Sequence, residues 1–156
     1  NVETRLRKLD EGQFAGLILA FAGLKRLGLE SRISCRLEPP VLFAAVGQGA
    51  LGIECRADDT QTRALLSGVD HPTSRARVTA ERALLAQLRA GCHAPVGADT
   101  RLGGGTLTLE AVVLSPDGRQ RLIAETNAPI ADARQLGIDV ADILLRQGAE
   151  ALMTSA

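Results

Sequence analysis

Apolar positions fall into two regimes along the chain: helical spacing and short continuous runs as far as residue 91, then every second residue beyond Pro95. Val2, Leu6 and Leu9 share one face, Asn1 stands where an N-cap is needed and Gly12 where the helix must stop, which predicts a helix over residues 2–10. Thr4, Arg5, Arg7 and Lys8 fall on its other faces, and the free N–H groups of its first turn favour anions. Residues 14–21 form an apolar run of strand length, read as a buried parallel strand. The run feeds Ala22-Gly23-Leu24-Lys25-Arg26-Leu27-Gly28, one or two helical turns between glycines. Ligands of α/β folds sit beyond the carboxyl ends of strands, so Arg26 would lie near such a rim. A plain surface arginine on a short helix is the alternative.

Residues 32–37 read as another strand, broken by Glu38-Pro39-Pro40, and residues 41–46 are extended and apolar. In Gly47-Gln48-Gly49-Ala50-Leu51-Gly52, three glycines in six residues imply close backbone approach before a strand over 51–55. The Gly-Lys-Ser/Thr of a phosphate loop is lacking. Asp59 or Thr60 caps a helix reaching Ser67, and residues 68–72 form a linker and domain boundary. The longest helix is expected over 74–90 with Thr73 as cap and Gly91 as stop. Val78, Leu84, Leu85 and Leu88 would face its core, and Arg75, Arg77, Glu81, Arg82, Gln87 and Arg89 would face outward.

Strands are expected over 96–102, 106–114 and 120–126. Leu107, Leu109, Ala111 and Val113 share one face of the middle strand, and Ser115-Pro116-Asp117-Gly118 turns the chain. A last amphipathic helix over 132–147 turns Leu136, Val140, Ile143 and Leu144 inward. The resulting fold class is α/β plus α+β: a partial α/β lobe, then a small domain of helix, three-stranded antiparallel sheet and helix.

Composition narrows the function. Lys+Arg and Asp+Glu balance at 18 each, which argues against a nucleic-acid partner, and the absence of Trp and Tyr removes a stacking platform. No apolar run approaches the ~20 residues of a membrane-spanning helix. Cys35, Cys55 and Cys92 lie far apart without Cys-x-x-Cys spacing, so neither a disulfide framework nor a metal site is expected, and a reducing, cytoplasmic setting is. Cys35 and Cys55 read as small apolar fillers in or beside strands. Beginning at Asn1 and already helical, the chain reads as a portion of a longer one. Gly91-Cys92-His93-Ala94-Pro95 stands apart: a thiol just past a helix end, led by glycine and closed by proline, is either a spare cysteine or an attachment point.

Asn1-Val2-Glu3-Thr4-Arg5-Leu6 with Leu9-Asp10, Leu19-Ala20-Phe21-Ala22-Gly23-Leu24-Lys25-Arg26-Leu27-Gly28, and Val46-Gly47-Gln48-Gly49-Ala50-Leu51-Gly52-Ile53-Glu54 follow one another in an order and spacing that continue into Ala80-Glu81-Arg82-Ala83 and Gly91-Cys92. This ordered set resembles hydroxymethylbilane synthase, also called the porphobilinogen deaminase family, over essentially the whole chain. The resemblance implies a transferase of tetrapyrrole (haem- and chlorophyll-type) biosynthesis that joins four porphobilinogen units head to tail, releasing ammonia, on a dipyrromethane cofactor held by thioether. It implies two periplasmic-binding-protein-like lobes and a small α+β lobe, with residues 1–43 in the second lobe, 44–70 returning through the first, and 71–156 forming the third.

By the same resemblance Cys92 is the covalent cofactor anchor, and Arg5, Arg26, Gln48 and Gly49 contact cofactor or substrate. Each pyrrole carries an acetate and a propionate, and planar guanidinium groups suit carboxylates. A thiol past a helix C-terminus gains no acidity from the dipole. The azafulvene formed when an aminomethylpyrrole loses ammonia is nevertheless electrophilic enough for an ordinary thiol, so Cys92 suits an anchor better than a turnover nucleophile. The loop departs from the family pattern at Ala90 and His93, where the family commonly has Gly and Gln, and Phe43-Ala44-Ala45 replaces Leu-Pro-Ala. The family's catalytic aspartate matches no position here, so no catalytic residue is assigned in this chain, which is expected to be inactive alone. The parent is expected to be a monomer without nucleic-acid or membrane partners; this chain would self-associate through exposed lobe edges. The competing reading is a non-catalytic α/β module that binds a small carboxylate and carries an appended α+β domain.

Overall fold

In the computed structural model the described residues are 1–91 and 94–154. They divide into two compact units, Asn1–Val41 and Leu42–Ala156.

The first unit begins as its sequence dictates. Asn1 Oδ1 accepts the Thr4 amide at 2.9 Å and starts α1, Val2–Asp10, whose Leu6 is buried. The second helix, α2, spans Phe21–Arg26 and buries Leu24. A single 3-10 turn at Glu30–Arg32 follows, and Arg32 pairs with Asp10 at the end of α1. Arg36 lies 4.3 Å above the Phe21 ring centroid.

The predicted strands over 14–21 and 32–37, and the one over 51–55 in the second unit, are not formed. A strand exists by sharing its hydrogen-bond ladder, and no described residue pairs with these stretches. Their apolar side chains consequently stand in solvent, with Ile18 73% and Leu51 95% exposed. Cys35 and Cys55 are exposed free thiols rather than buried fillers, because the strands that would have buried them are absent.

The second unit is a sheet covered on one face by helices. Its strands β1 (Ala44–Ala45), β2 (Val96–Gly103), β3 (Thr106–Leu114) and β4 (Arg121–Pro129) lie in the order β1-β2-β3-β4, all antiparallel. The expected three-stranded meander is therefore present and gains a fourth, two-residue strand. Residues Leu107, Leu109, Ala111 and Val113 of β3 are buried, as their alternation requires. Asp117 Oδ1 accepts the Ser115 hydroxyl at 2.6 Å and the Arg119 amide at 3.1 Å in the β3–β4 turn, and these bonds hold its carboxyl below the ordinary range. The opposite sheet face carries a charged cluster, in which Arg101 reaches Asp99, Glu110 and Glu125, beside apolar Val112 and Ile123.

Helix α3, Thr60–Ser67, is capped by Asp59, which accepts the Thr62 amide at 2.9 Å and the Thr62 hydroxyl at 2.7 Å and is held below the usual carboxylate range by them, the amide foremost. The longest helix, α4, runs Pro72–Gln87 rather than 74–90. His71 Nδ1 accepts the Ser74 amide at 3.2 Å and Pro72 takes the first turn, a position where its missing N–H costs nothing. The helix also stops before Gly91: Arg89 adopts φ 51°, and the Arg89 and Ala90 amides return to Ala86 O and Leu85 O.

Helix α5, Ala133–Arg146, buries Leu136, Val140 and Leu144 against α4 and the sheet, and a short α6, Ala149–Thr154, not foreseen from the sequence, follows it. Gln87, exposed as expected, also donates to Asp142 Oδ1 across the two helices at 2.8 Å. Among the described residues no helix is long and apolar enough to cross a membrane.

Candidate functional site

The Gly-Gln-Gly stretch is a double turn hung from the edge of the sheet. Strand β1 pairs Ala44 with Ala98 and Ala45 with Gly97, and Phe43 packs beside Gly97, where a Cβ would come within 2.6 Å of Phe43 Cβ. The Gln48 amide then bonds Ala45 O at 3.0 Å, and the Ala50 amide bonds Gly47 O at 3.1 Å. Two reversals so close require left-handed backbone, supplied by Gly47 (φ 69°) and Gly49 (φ 80°).

Glu81 completes this turn. Its Oε2 accepts the Gly47 amide at 2.7 Å, and its Oε1 accepts the hydroxyl of buried Thr100 at 2.8 Å. Sequence periodicity placed Glu81 on the outward face of α4; it is half-buried instead, because Gly47 and Thr100 dock against it. Spacing alone could not have found this, since the partners lie 34 and 19 residues away. The amides of Gly47, Gln48 and Ala50 are thus committed, whereas that of Gly49 has no acceptor among the described residues. The Gln48 side chain is exposed and makes no hydrogen bond among them.

Arg5 on α1 and Arg26 at the end of α2 are both exposed. The other arginines of that unit are engaged: Arg7 with Glu11, Arg32 with Asp10, and Arg36 with Glu38. Arg5 and Arg26 have no ion pair or side-chain hydrogen bond among the described residues. Gln48 and Gly49 share one turn of the second unit, and the two arginines belong to the first. Cys92 and His93 lie outside the described residues. The chain on either side of them is tied down: Gly91 O accepts the Ala94 amide at 3.0 Å, and Pro95 O accepts the Leu114 amide at 3.0 Å. Among the described residues no group of three His, Cys, Asp or Glu side chains could hold a metal.

Each unit taken by itself offers donors for anions. The two unpaired guanidinium groups of the first, and the unspent backbone N–H and free side-chain amide of the second, fit carboxylates rather than metals or bases.

Comparison with known families gives two matches. Residues 1–64 match the family model described as "Porphobilinogen deaminase, dipyromethane cofactor binding domain", and residues 75–146 match "Porphobilinogen deaminase, C-terminal domain". Arg5, Arg26, Gln48 and Gly49 all fall in the first match, and Cys92 falls in the second. The two matches run in order along most of the sequence, and the chain belongs to the porphobilinogen deaminase family of transferases.

Proposed function

We propose that this chain is the C-terminal portion of a hydroxymethylbilane synthase, which condenses four porphobilinogen units head to tail with release of ammonia in tetrapyrrole biosynthesis. Cys92 holds the dipyrromethane cofactor by a thioether. The cofactor supplies the pyrrole on which the product is built. Arg5 and Arg26 bind the acetate and propionate groups of cofactor or substrate, and Gln48 and Gly49 meet them from the turn beside β1.

The observation that carries this reading is the division among the arginines of Asn1–Val41. Arg7, Arg32 and Arg36 are spent on carboxylates of the protein, whereas Arg5 and Arg26 are not. An unpaired guanidinium retains its full capacity for a bidentate carboxylate from a ligand. The exposure of Ile18, Leu51 and Ile53 on backbone outside any helix or strand supports the portion reading, since such apolar stretches need partners to bury them. It also supports self-association of this chain in isolation. Exposed free thiols at Cys35 and Cys55 fit a reducing, cytoplasmic setting.

The general acid/base lies outside this chain, so the purified 156-residue chain is expected to form no hydroxymethylbilane from porphobilinogen. In the whole enzyme, Arg26→Ala is expected to raise KM for porphobilinogen far more than Arg32→Ala does. Product formed by the isolated chain, or equal KM effects of the two substitutions, would count against this assignment.

A further inference from the structure

We infer that Glu81 is a positioning residue: by holding the Gly47 amide it fixes the Gly47-Gln48-Gly49 turn in the one form that leaves the Gly49 N–H open to a ligand carboxylate. The inference rests on the proposed role of Gly49 and adds the residue that makes that role possible.

Gly47 and Gly49 are the least restrained residues a turn can contain, each free to leave its left-handed conformation at little cost. Something outside the turn must therefore select its shape. The bonds Gln48 N–H to Ala45 O and Ala50 N–H to Gly47 O are local and hold only while the Gly47 peptide keeps its orientation. Glu81 Oε2 sets that orientation from α4, at 2.7 Å. Its Oε1 is held in turn by Thr100, whose hydroxyl is buried in β2 and has its donated bond committed to Glu81. The carboxylate is thereby locked from the sheet side while it locks the turn. With its two oxygens each taking a donor, the carboxylate is fixed from both sides.

Two measurements separate this role from a merely structural one. In the 156-residue chain, amide hydrogen exchange at Gly47 is expected to quicken by about tenfold or more in Glu81→Ala, and to quicken less both in Glu81→Gln, which retains one acceptor oxygen, and in Thr100→Val, which loosens the carboxylate but leaves its bond to Gly47. In the whole enzyme, Glu81→Gln is expected to raise KM for porphobilinogen several-fold with kcat little changed, although the substitution removes a negative charge. Exchange at Gly47 in Glu81→Ala no faster than in Thr100→Val, or a KM lowered or unmoved by Glu81→Gln, would overturn the positioning role. An unmodified whole enzyme that makes no hydroxymethylbilane would instead overturn the proposed function and leave the exchange result standing.

Discussion

Gly137 of α5 lies directly on Ala80 of α4: a Cβ built on Gly137 would stand 2.0 Å from Ala80 O and 2.8 Å from Leu84 N. Both contacts are to backbone, which cannot swing aside as a side chain does. Alanine is intrinsically the better helix former by about 1 kcal/mol. Overpacking at a rigid contact costs about 1–3 kcal/mol and wins. Gly137→Ala is therefore expected to lower the thermal unfolding midpoint, and an unchanged or higher midpoint would show that the two helices are not in this contact.

Arg89 offers the opposite substitution. It holds the left-handed position that ends α4, a conformation that costs a side-chain-bearing residue about 1–2 kcal/mol relative to glycine. The greater freedom of glycine in the unfolded chain returns part of that, about 0.4–1 kcal/mol. Arg89→Gly is expected to stabilise the chain by roughly 0.5–1 kcal/mol in urea unfolding. Destabilisation would mean that the Arg89 side chain contributes contacts that outweigh its backbone strain.

Acid should weaken two turns in particular. Asp59 is held below its ordinary range by the Thr62 amide and hydroxyl, and Asp117 by the Ser115 hydroxyl and then the Arg119 amide. A carboxyl with a depressed folded-state pKa contributes stability that is present above the unfolded-state value, about 3.9, and is lost as pH falls through the lower folded one. Asparagine keeps an acceptor oxygen at the cap without titrating. The double variant Asp59→Asn, Asp117→Asn is therefore expected to lose less stability than the wild type between about pH 4 and pH 2. Parallel stability curves for the two proteins would contradict it.

How legible all this was in the sequence depends on how local each determinant is. Asn1 caps α1 as expected and Asp59, one of the two residues offered, caps α3, because a cap is decided within four residues. At α4 the cap is His71 rather than Thr73, because Pro72 takes the first turn. The alternation of Leu107, Leu109, Ala111 and Val113 fixed the sheet's inner face for the same reason. Residues 14–21 and 51–55 failed as strands because an apolar run records a wish for burial, whereas a strand needs a second chain segment, and none of the described residues supplies one. Glu81 was misread because helical spacing distinguishes faces but not what docks on them. The ends of α4 moved because Pro72 suits a first turn and Arg89 accepted a conformation usually left to glycine. Of the candidate site, Arg5, Arg26, Gln48 and Gly49 are reached through an ordered resemblance, and that the Arg5 and Arg26 guanidinium groups stay unpaired is visible only beside the ion pairs of Arg7, Arg32 and Arg36.

The most direct test of the cofactor role is the intact mass of the whole enzyme that contains this chain, purified from cells that make porphobilinogen. The expected mass exceeds that of the polypeptide by one dipyrromethane, with the addition mapped to the peptide bearing Cys92 and absent in Cys92→Ser. A mass equal to that of the bare polypeptide, with Cys92 freely alkylated in the active protein, would contradict it.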